Sequence, residues 1–210
     1  MSASTPAAAG PARVSVLYIG GWGRSGSTLL DRVLGQVPGV VSLGEVRELW
    51  QRGWVENRPC GCGAPFADCP FWTEVGRRAF GGWASLDRDE VLRLRYSLDR
   101  PWATPMLLGR RSVGFMGRRA ATYTSILDTL YRALGDVSGA KVIVDSSKLP
   151  SHALLLRRVP AIDLIDFEYG PGNRYWHTSH DLPEQCSAAS LEQVGKVVTA
   201  WLALPRSKRR

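Results

Sequence analysis

The chain lacks any apolar run long enough to cross a bilayer. It has no internal repeat, no zinc-finger spacing of cysteine and histidine, and no aromatic-rich RNA-binding motif. The opening residues Met1 to Ala12 are small and interrupted by proline, without the basic-then-apolar order of a secretory signal. They read as a disordered leader. These absences argue against a membrane span and a dedicated nucleic-acid reader, and the expected location is cytoplasmic. Cysteine is scarce, with four in 210 residues. Three of them, Cys60, Cys62 and Cys69, sit in one segment from Pro59 to Pro70. The C-x-C step is tighter than the usual zinc spacing, and no histidine lies nearby. A reducing compartment argues against a structural disulfide. The preferred reading is therefore a compact glycine- and proline-rich loop of reduced thiols with no metal, metal binding being the lesser alternative.

What is present suits one α/β domain with an appendage. Lys and Arg outnumber Asp and Glu by 27 to 19, giving a net charge of +8 and a preference for anionic partners. Part of the excess lies in the tail Arg206 to Arg210, which reads as a solvated terminus.

The most informative stretch runs from Val14 to Leu30. A β-branched apolar segment, Val14 to Ile19, is followed by a glycine-rich turn and the start of a helix. Such a turn is a phosphate cradle, because glycines let the backbone approach an anion and the helix-start amides point at it. Against the nucleotide-loop pattern G-x-x-x-x-G-K-[ST], Gly21, Gly26 and Thr28 keep their places, but Ser27 stands where the lysine belongs. The cation has moved to Arg24. Without that lysine, the loop suits a phosphate ester better than triphosphate chemistry.

Further along, Val40 to Leu43 reads as a short strand and Glu45 to about Arg52 as a helix. Phe71 to Phe80, Asp87 to Leu98 and Arg118 to Leu134 read as helices, Lys141 to Asp145 as a buried strand, Ser151 to Arg157 as a short helix and Ala161 to Phe167 as a strand. The mixed segment Arg100 to Gly117 is either a lid or a connection. Alternation of strands and helices predicts an open parallel sheet with helices on both faces, and ligands bind beyond the carboxyl ends of such strands. That edge carries Arg24, Glu45 and Asp145 to Lys148.

Arg24-Ser-Gly-Ser-Thr-Leu-Leu30, Ser42-Leu-Gly-Glu45 and Val142-Ile-Val-Asp-Ser-Ser-Lys148, in that order, resemble sulfotransferases that use 3′-phosphoadenylyl sulfate (PAPS). The resemblance spans residues 14 to 160. It implies an α/β fold, a P-loop-like three-layer αβα sandwich with a parallel sheet, here incomplete at its C-terminal side. It implies PAPS as co-substrate, a hydroxyl or amine acceptor, and no metal. Arg24, Ser25, Gly26, Ser27 and Thr28 would hold the 5′-phosphosulfate. Glu45 would be the base, the alternative being a carboxylate that merely complements a helix start. Lys148 would meet charge on the leaving oxygen, the alternative being a surface lysine at a helix start. Ser146 and Ser147 either cap the next helix or touch the ligand.

The pattern then departs. Sulfotransferases of this kind follow with a strand ending in Arg-Asp-x-Arg, whose arginine helps hold the 3′-phosphate, whereas this chain reads Ala161-Ile-Asp-Leu-Ile-Asp-Phe-Glu. A nucleotide-binding remnant without activity is therefore the alternative. From Ile165 onward, Tyr175-Trp-His-Thr178 and Asp181-Leu-Pro183 are similar to the end of di-zinc aminopeptidases, where the histidine matching His177 binds zinc. The other ligands have no counterpart, so a fragment of such a peptidase is the weaker reading. His152 and His180 read as ordinary loop or surface histidines. The expected organisation is a leader (1–12), a sulfotransferase-like nucleotide-binding domain (13–160) and a peptidase-like strand, helix and basic tail (161–210). The expected partners are the nucleotide and an unidentified acceptor.

Overall fold

The computed structural model describes residues 14–21, 27–108, 115–156 and 161–164, and near the end of the chain 192, 195–197, 199–200, 203 and 204. Within them the fold is mixed α/β, mostly helical, with a small open parallel sheet. The sheet has four strands in the order β2-β3-β1-β4: β1 (Ser15–Gly20), β2 (Val40–Ser42), β3 (Val142–Lys148) and β4 (Ala161–Leu164). Every pairing is parallel. All six residues of β1 are buried, as its unbroken apolar run requires of an interior strand covered on both faces.

The period of two in β1 and β3 divides the core. Val16, Tyr18 and Ile143 face the larger cluster, which holds Leu127, Leu130 and Leu134 of α5 (Phe115–Ser138) and Leu155 of α6 (Pro150–Leu155). Leu17, Ile19, Val142 and Val144 face the opposite way, toward α1 (Ser27–Leu34), the only helix in that cluster among the described residues. Ser27, Asp31 and Leu34 are the buried positions of α1. The sequence puts Leu29, Leu30, Val33 and Leu34 on the buried face of this helix, but Leu29 and Val33 are exposed because they lie on the side turned from the sheet.

Several boundaries differ from expectation. The segment expected as one helix after Glu45 is a 3₁₀ turn, Val46–Glu48, followed by a π-helix, Leu49–Val55. The wider coil lets Gly53 face the Phe66 ring, where a Cβ would come within 2.8 Å. Strand β3 runs three residues beyond Asp145, because polar Ser146 and Ser147 are buried with partners rather than released to solvent. The segment after Arg100 forms a 3₁₀ turn, Pro101–Ala103, and α4 (Thr104–Leu108). Of the expected closing helix, about Ser190 to Leu204, residues 192, 195–197, 199–200 and 203 are described as helical, and the remainder but for Leu204 lie outside the described residues.

The remaining helices, α2 (Pro70–Phe80) and α3 (Arg88–Leu98), pack on α5. Around α2, the rings of Trp50, Trp54, Phe66, Trp72 and Trp83 form a continuous aromatic cluster, with centroids 5.2–6.3 Å apart. Trp83 Nε1 donates to the Trp72 carbonyl at 2.9 Å, which fixes its ring over Gly76. A Cβ at Gly76 would lie 2.4 Å from that nitrogen. Gly76→Ala should therefore destabilise the fold by about 2 kcal/mol, although alanine is the better helix former. Urea denaturation of the two proteins checks this.

Candidate functional site

After β2 the chain keeps alongside β3: the Leu43 amide donates to the Val144 carbonyl at 3.2 Å, and the Gly44 carbonyl accepts from Ser146 N at 2.9 Å. Gly44 then turns with φ +68°, a conformation that favours glycine. The turn delivers Glu45 to the carboxyl edge of the sheet. On the other strand, β1 and β3 pair Tyr18 with Asp145 and then Gly20 with Lys148. β3 thus spends three residues where β1 spends two, which is a bulge. Lys148 closes the bulge with φ +69°, a left-handed conformation that costs a non-glycine residue roughly 1–2 kcal/mol.

The two distortions bring Glu45 and Lys148 together from 103 residues apart in sequence: Lys148 Nζ donates to Glu45 Oε1 at 2.7 Å. The Glu45 carboxylate makes no capping bond to the turn it precedes. Lys148 is not a surface lysine at a helix start; it ends a strand, and its side chain is 17% exposed. The Gly21 amide, at the end of β1, donates to the Lys148 carbonyl at 3.3 Å. The ion pair therefore stands beside the strand end from which the glycine-rich turn departs. Of the expected phosphate-binding residues, Arg24, Ser25 and Gly26 lie outside the described residues. Ser27 is buried at the start of α1, and Thr28 lines the adjoining cleft.

That cleft has a volume of about 710 Å³. Thr28 and Asp31 of α1, Glu45, Ser146, Cys60 and Trp72 contribute to its walls, so the sheet edge and the cysteine segment share one cavity. Burial pushes the Asp31 carboxyl up, against the bond it accepts from Ser42 Oγ at 2.8 Å.

Behind the edge lies a fully buried polar network that sequence reasoning missed. Asp145 Oδ1 accepts from the Ser147 amide at 2.9 Å and from the Val46 amide at 3.3 Å, so it ties the bulge to the Glu45 turn. Its other oxygen accepts from the Tyr131 hydroxyl and faces His152 Nε2 at 3.5 Å. His152 is not a surface histidine: it is 0% exposed, with Nδ1 2.9 Å from Asp99 Oδ2. Asp99 also accepts from Ser151 Oγ at 3.1 Å and pairs with Arg47 Nε at 3.2 Å. Burial opposes the charge on His152, but the Asp99 and Asp145 carboxylates outweigh it and raise the imidazole to about 9. Burial likewise opposes ionisation of Asp99, yet the His152 charge and the Arg47 guanidinium hold its carboxyl below the ordinary range. The one signal in the sequence was Asp145, a carboxylate ending an otherwise apolar strand, which needs buried partners. Nothing in the sequence marks Asp99 as one of them.

The cysteine segment is also more organised than a loop of separate thiols. The sulfur atoms of Cys60, Cys62 and Cys69 all lie within 4.8 Å of one another, and no disulfide joins them. They are the only such metal-capable group among the described residues. His177, His180 and Cys186 lie outside those residues. Comparison of the chain with protein-family models, curated proteins and solved structures finds no match.

The buried network makes stability depend on pH. The folded value of His152, about 9, stands above its ordinary 6.5. Its contribution is complete below about pH 6.5 and is lost as pH rises through about 9, a difference on the order of 3 kcal/mol. The urea midpoint should fall between those pH values in the native sequence and fall much less in His152→Gln. Denaturation curves at both pH values measure this.

Proposed function

We propose that the chain is the core of a PAPS-dependent sulfotransferase, with its sheet the centre of a P-loop-like αβα sandwich. The observation that carries this reading is the Glu45–Lys148 pair, 2.7 Å apart at the carboxyl edge of a parallel sheet. The general rule for open parallel sheets puts ligands at that edge, at the point where the strand order reverses. Here the chain leaves β1 toward β2 on one side and leaves β3 toward β4 on the other, so the reversal lies between β1 and β3.

Sulfuryl transfer requires a base for the acceptor's proton and a cation for the bridging oxygen of the leaving bisphosphate. In the resting protein these two groups occupy each other. An arriving phosphosulfate competes with Glu45 for Lys148. Once Lys148 turns to the nucleotide, a Glu45 oxygen is released to take the proton of a hydroxyl or amine in the cleft. The acceptor oxygen or nitrogen then attacks sulfur, the bond from sulfur to the bridging oxygen breaks, and Lys148 meets the charge left there. Ser27 and Thr28 start the helix whose amides would face the phosphate, with Arg24 as the loop's cation.

A nucleotide-binding remnant is the second reading, favoured by one observation: β4, next to β1, carries Asp163 and no arginine. A titration separates the two. For an enzyme, calorimetry should show adenosine 3′,5′-bisphosphate binding at least tenfold more tightly than AMP, and Arg24→Ala should weaken it; equal affinities would leave the remnant. Glu45→Gln should lower label transfer from radioactive PAPS to a panel of phenols, sugars and amines by a factor on the order of 10² or more. Its bisphosphate affinity should stay the same or rise, because Lys148 is freed. Unchanged transfer in that variant would remove Glu45 from the mechanism.

A further inference from the structure

The segment from Asn57 to Cys69 poses a folding problem. Only Phe66 and Cys69 in it are buried. Thirteen residues with two buried side chains do not bury enough apolar surface to hold a defined shape by themselves. Yet the backbone is specific. Pro59 and Pro65 form an antiparallel bridge, the Cys60 amide donates to the Ala64 carbonyl at 2.8 Å, and the Gly63 amide donates to the Cys60 carbonyl at 2.8 Å. The result is a short knuckle with Cys60 and Cys62 on its turn. Phe66 to Asp68 then makes one 3₁₀ turn, and Cys69 follows as the residue that precedes α2.

This path returns the third thiol to the first two. Cys62 Sγ and Cys69 Sγ are 3.6 Å apart, and all three sulfurs lie within 4.8 Å of one another. Four thiolates around a tetrahedral zinc at about 2.3 Å sit ~3.8 Å apart. The Cys62–Cys69 distance is that of two sulfurs sharing one ion, and the 4.8 Å bound keeps the third within reach of the same ion. The surroundings match as well. Cys69 directly precedes the N-terminus of α2. A helix N-terminus favours the thiolate form of a cysteine beside it. The aromatic cluster lies directly behind, since Phe66 and Trp72 stack at a centroid distance of 5.4 Å.

We propose that Cys60, Cys62 and Cys69 bind one zinc ion through their three sulfur atoms, leaving the fourth coordination position to water or an added ligand. The site pins the knuckle to the N-terminus of α2. Because Cys60 and Trp72 also line the 710 Å³ cleft, the ion fixes the cleft wall opposite Glu45. Binding the ion displaces the thiol protons and supplies the folding free energy that the exposed segment lacks. The C-x-C step, tighter than usual zinc spacing, is accommodated because the third ligand comes from a helix start rather than from a second knuckle. This assignment is independent of the sulfotransferase reading.

The test is metal analysis of the full chain purified without added metal or chelator. The expected result is one zinc per chain, with three further thiols becoming reactive to a thiol reagent after chelation. Cobalt(II) added to the zinc-free chain should give a sulfur-to-cobalt charge-transfer band and intense visible bands of a tetrahedral ion, both abolished by zinc. Exposed Cys62→Ser should weaken zinc binding at least tenfold. If that variant does not fold, the cobalt spectrum of the unaltered chain decides alone. Absence of stoichiometric zinc together with a cobalt spectrum lacking the charge-transfer band would overturn the proposal. So would copper or iron in its place, or a disulfide among the three cysteines in the purified chain.

Discussion

One carboxylate, Asp145, holds the edge of this sheet together. It is completely buried, and an ionised carboxylate there is tolerable only with its lone pairs occupied. The Val46 amide, the Ser147 amide and the Tyr131 hydroxyl occupy them, and His152 stands next to it. Two of these donors belong to the segments that carry the candidate site. The Val46 bond sets the turn that presents Glu45, and the Ser147 bond sets the bulge that presents Lys148. The left-handed strain at Lys148 persists because the surrounding bonds determine the backbone on both sides of it. A carboxylate of the core thus governs a pair at the surface without touching either member.

The charge behind Asp145 is balanced rather than neutralised. Asp99 and Asp145 flank one imidazolium, and Arg47 supplies the second positive charge from the Glu45 side. Replacing such a network by apolar groups is often harmless to stability, whereas removing one member strands a charge and is costly. Its value here is geometric. The network joins the turn after β2, the end of α3, Tyr131 of α5, the bulge of β3 and the first turn of α6, five segments brought together by long-range folding. It fixes their relative placement with directional bonds where apolar contact alone would allow sliding.

These features explain how far the sequence could be read. The buried strands β1 and β3, the helix from Arg118 to Leu134 that lies within α5, and the parallel order followed from periodicity, because local pattern encodes burial directly. The common edge of Glu45 and Lys148 followed from topology. Their direct contact did not, because it depends on a bulge and a positive φ at a lysine, neither of which leaves a compositional trace. Asp99 and His152 were illegible for a different reason: several of their partners lie far away in sequence, and a lone acid or histidine has no period. The π-helix was hidden because Trp50, Gly53 and Trp54 also satisfy an ordinary helical pattern. In the cysteine segment the residues were plain, but the return of Cys69 to Cys60 and Cys62 needs the 3₁₀ turn after Phe66, which spacing alone does not give.

The charges lining the cleft constrain which end of a substrate goes where. Asp31, Glu45 and Glu48 face it, and so do Arg32, Arg52 and Arg58. Arg52 is drawn to Glu48 at 3.7 Å and Arg58 to Glu56 at 2.5 Å, which leaves Arg32 as the lining cation without an ion pair among the described residues. The net charge of +8 is therefore not concentrated in this cavity. On the proposed reading, a nucleotide carrying several negative charges would be repelled by the lining carboxylates Asp31 and Glu48. Its anionic end belongs beside Lys148 and the turn that leaves Gly21, where the sheet edge and a helix start supply amides. The remainder of the cleft, with Trp72, Phe71 and Cys60 on its far wall, suits an uncharged acceptor with an apolar body and one nucleophilic hydroxyl or amine. In-line transfer requires the lining around Cys60 and Trp72 to be rigid, since an acceptor held loosely there would not reach sulfur. The shape of the knuckle that carries Cys60 therefore bears directly on whether Glu45 and the acceptor can meet.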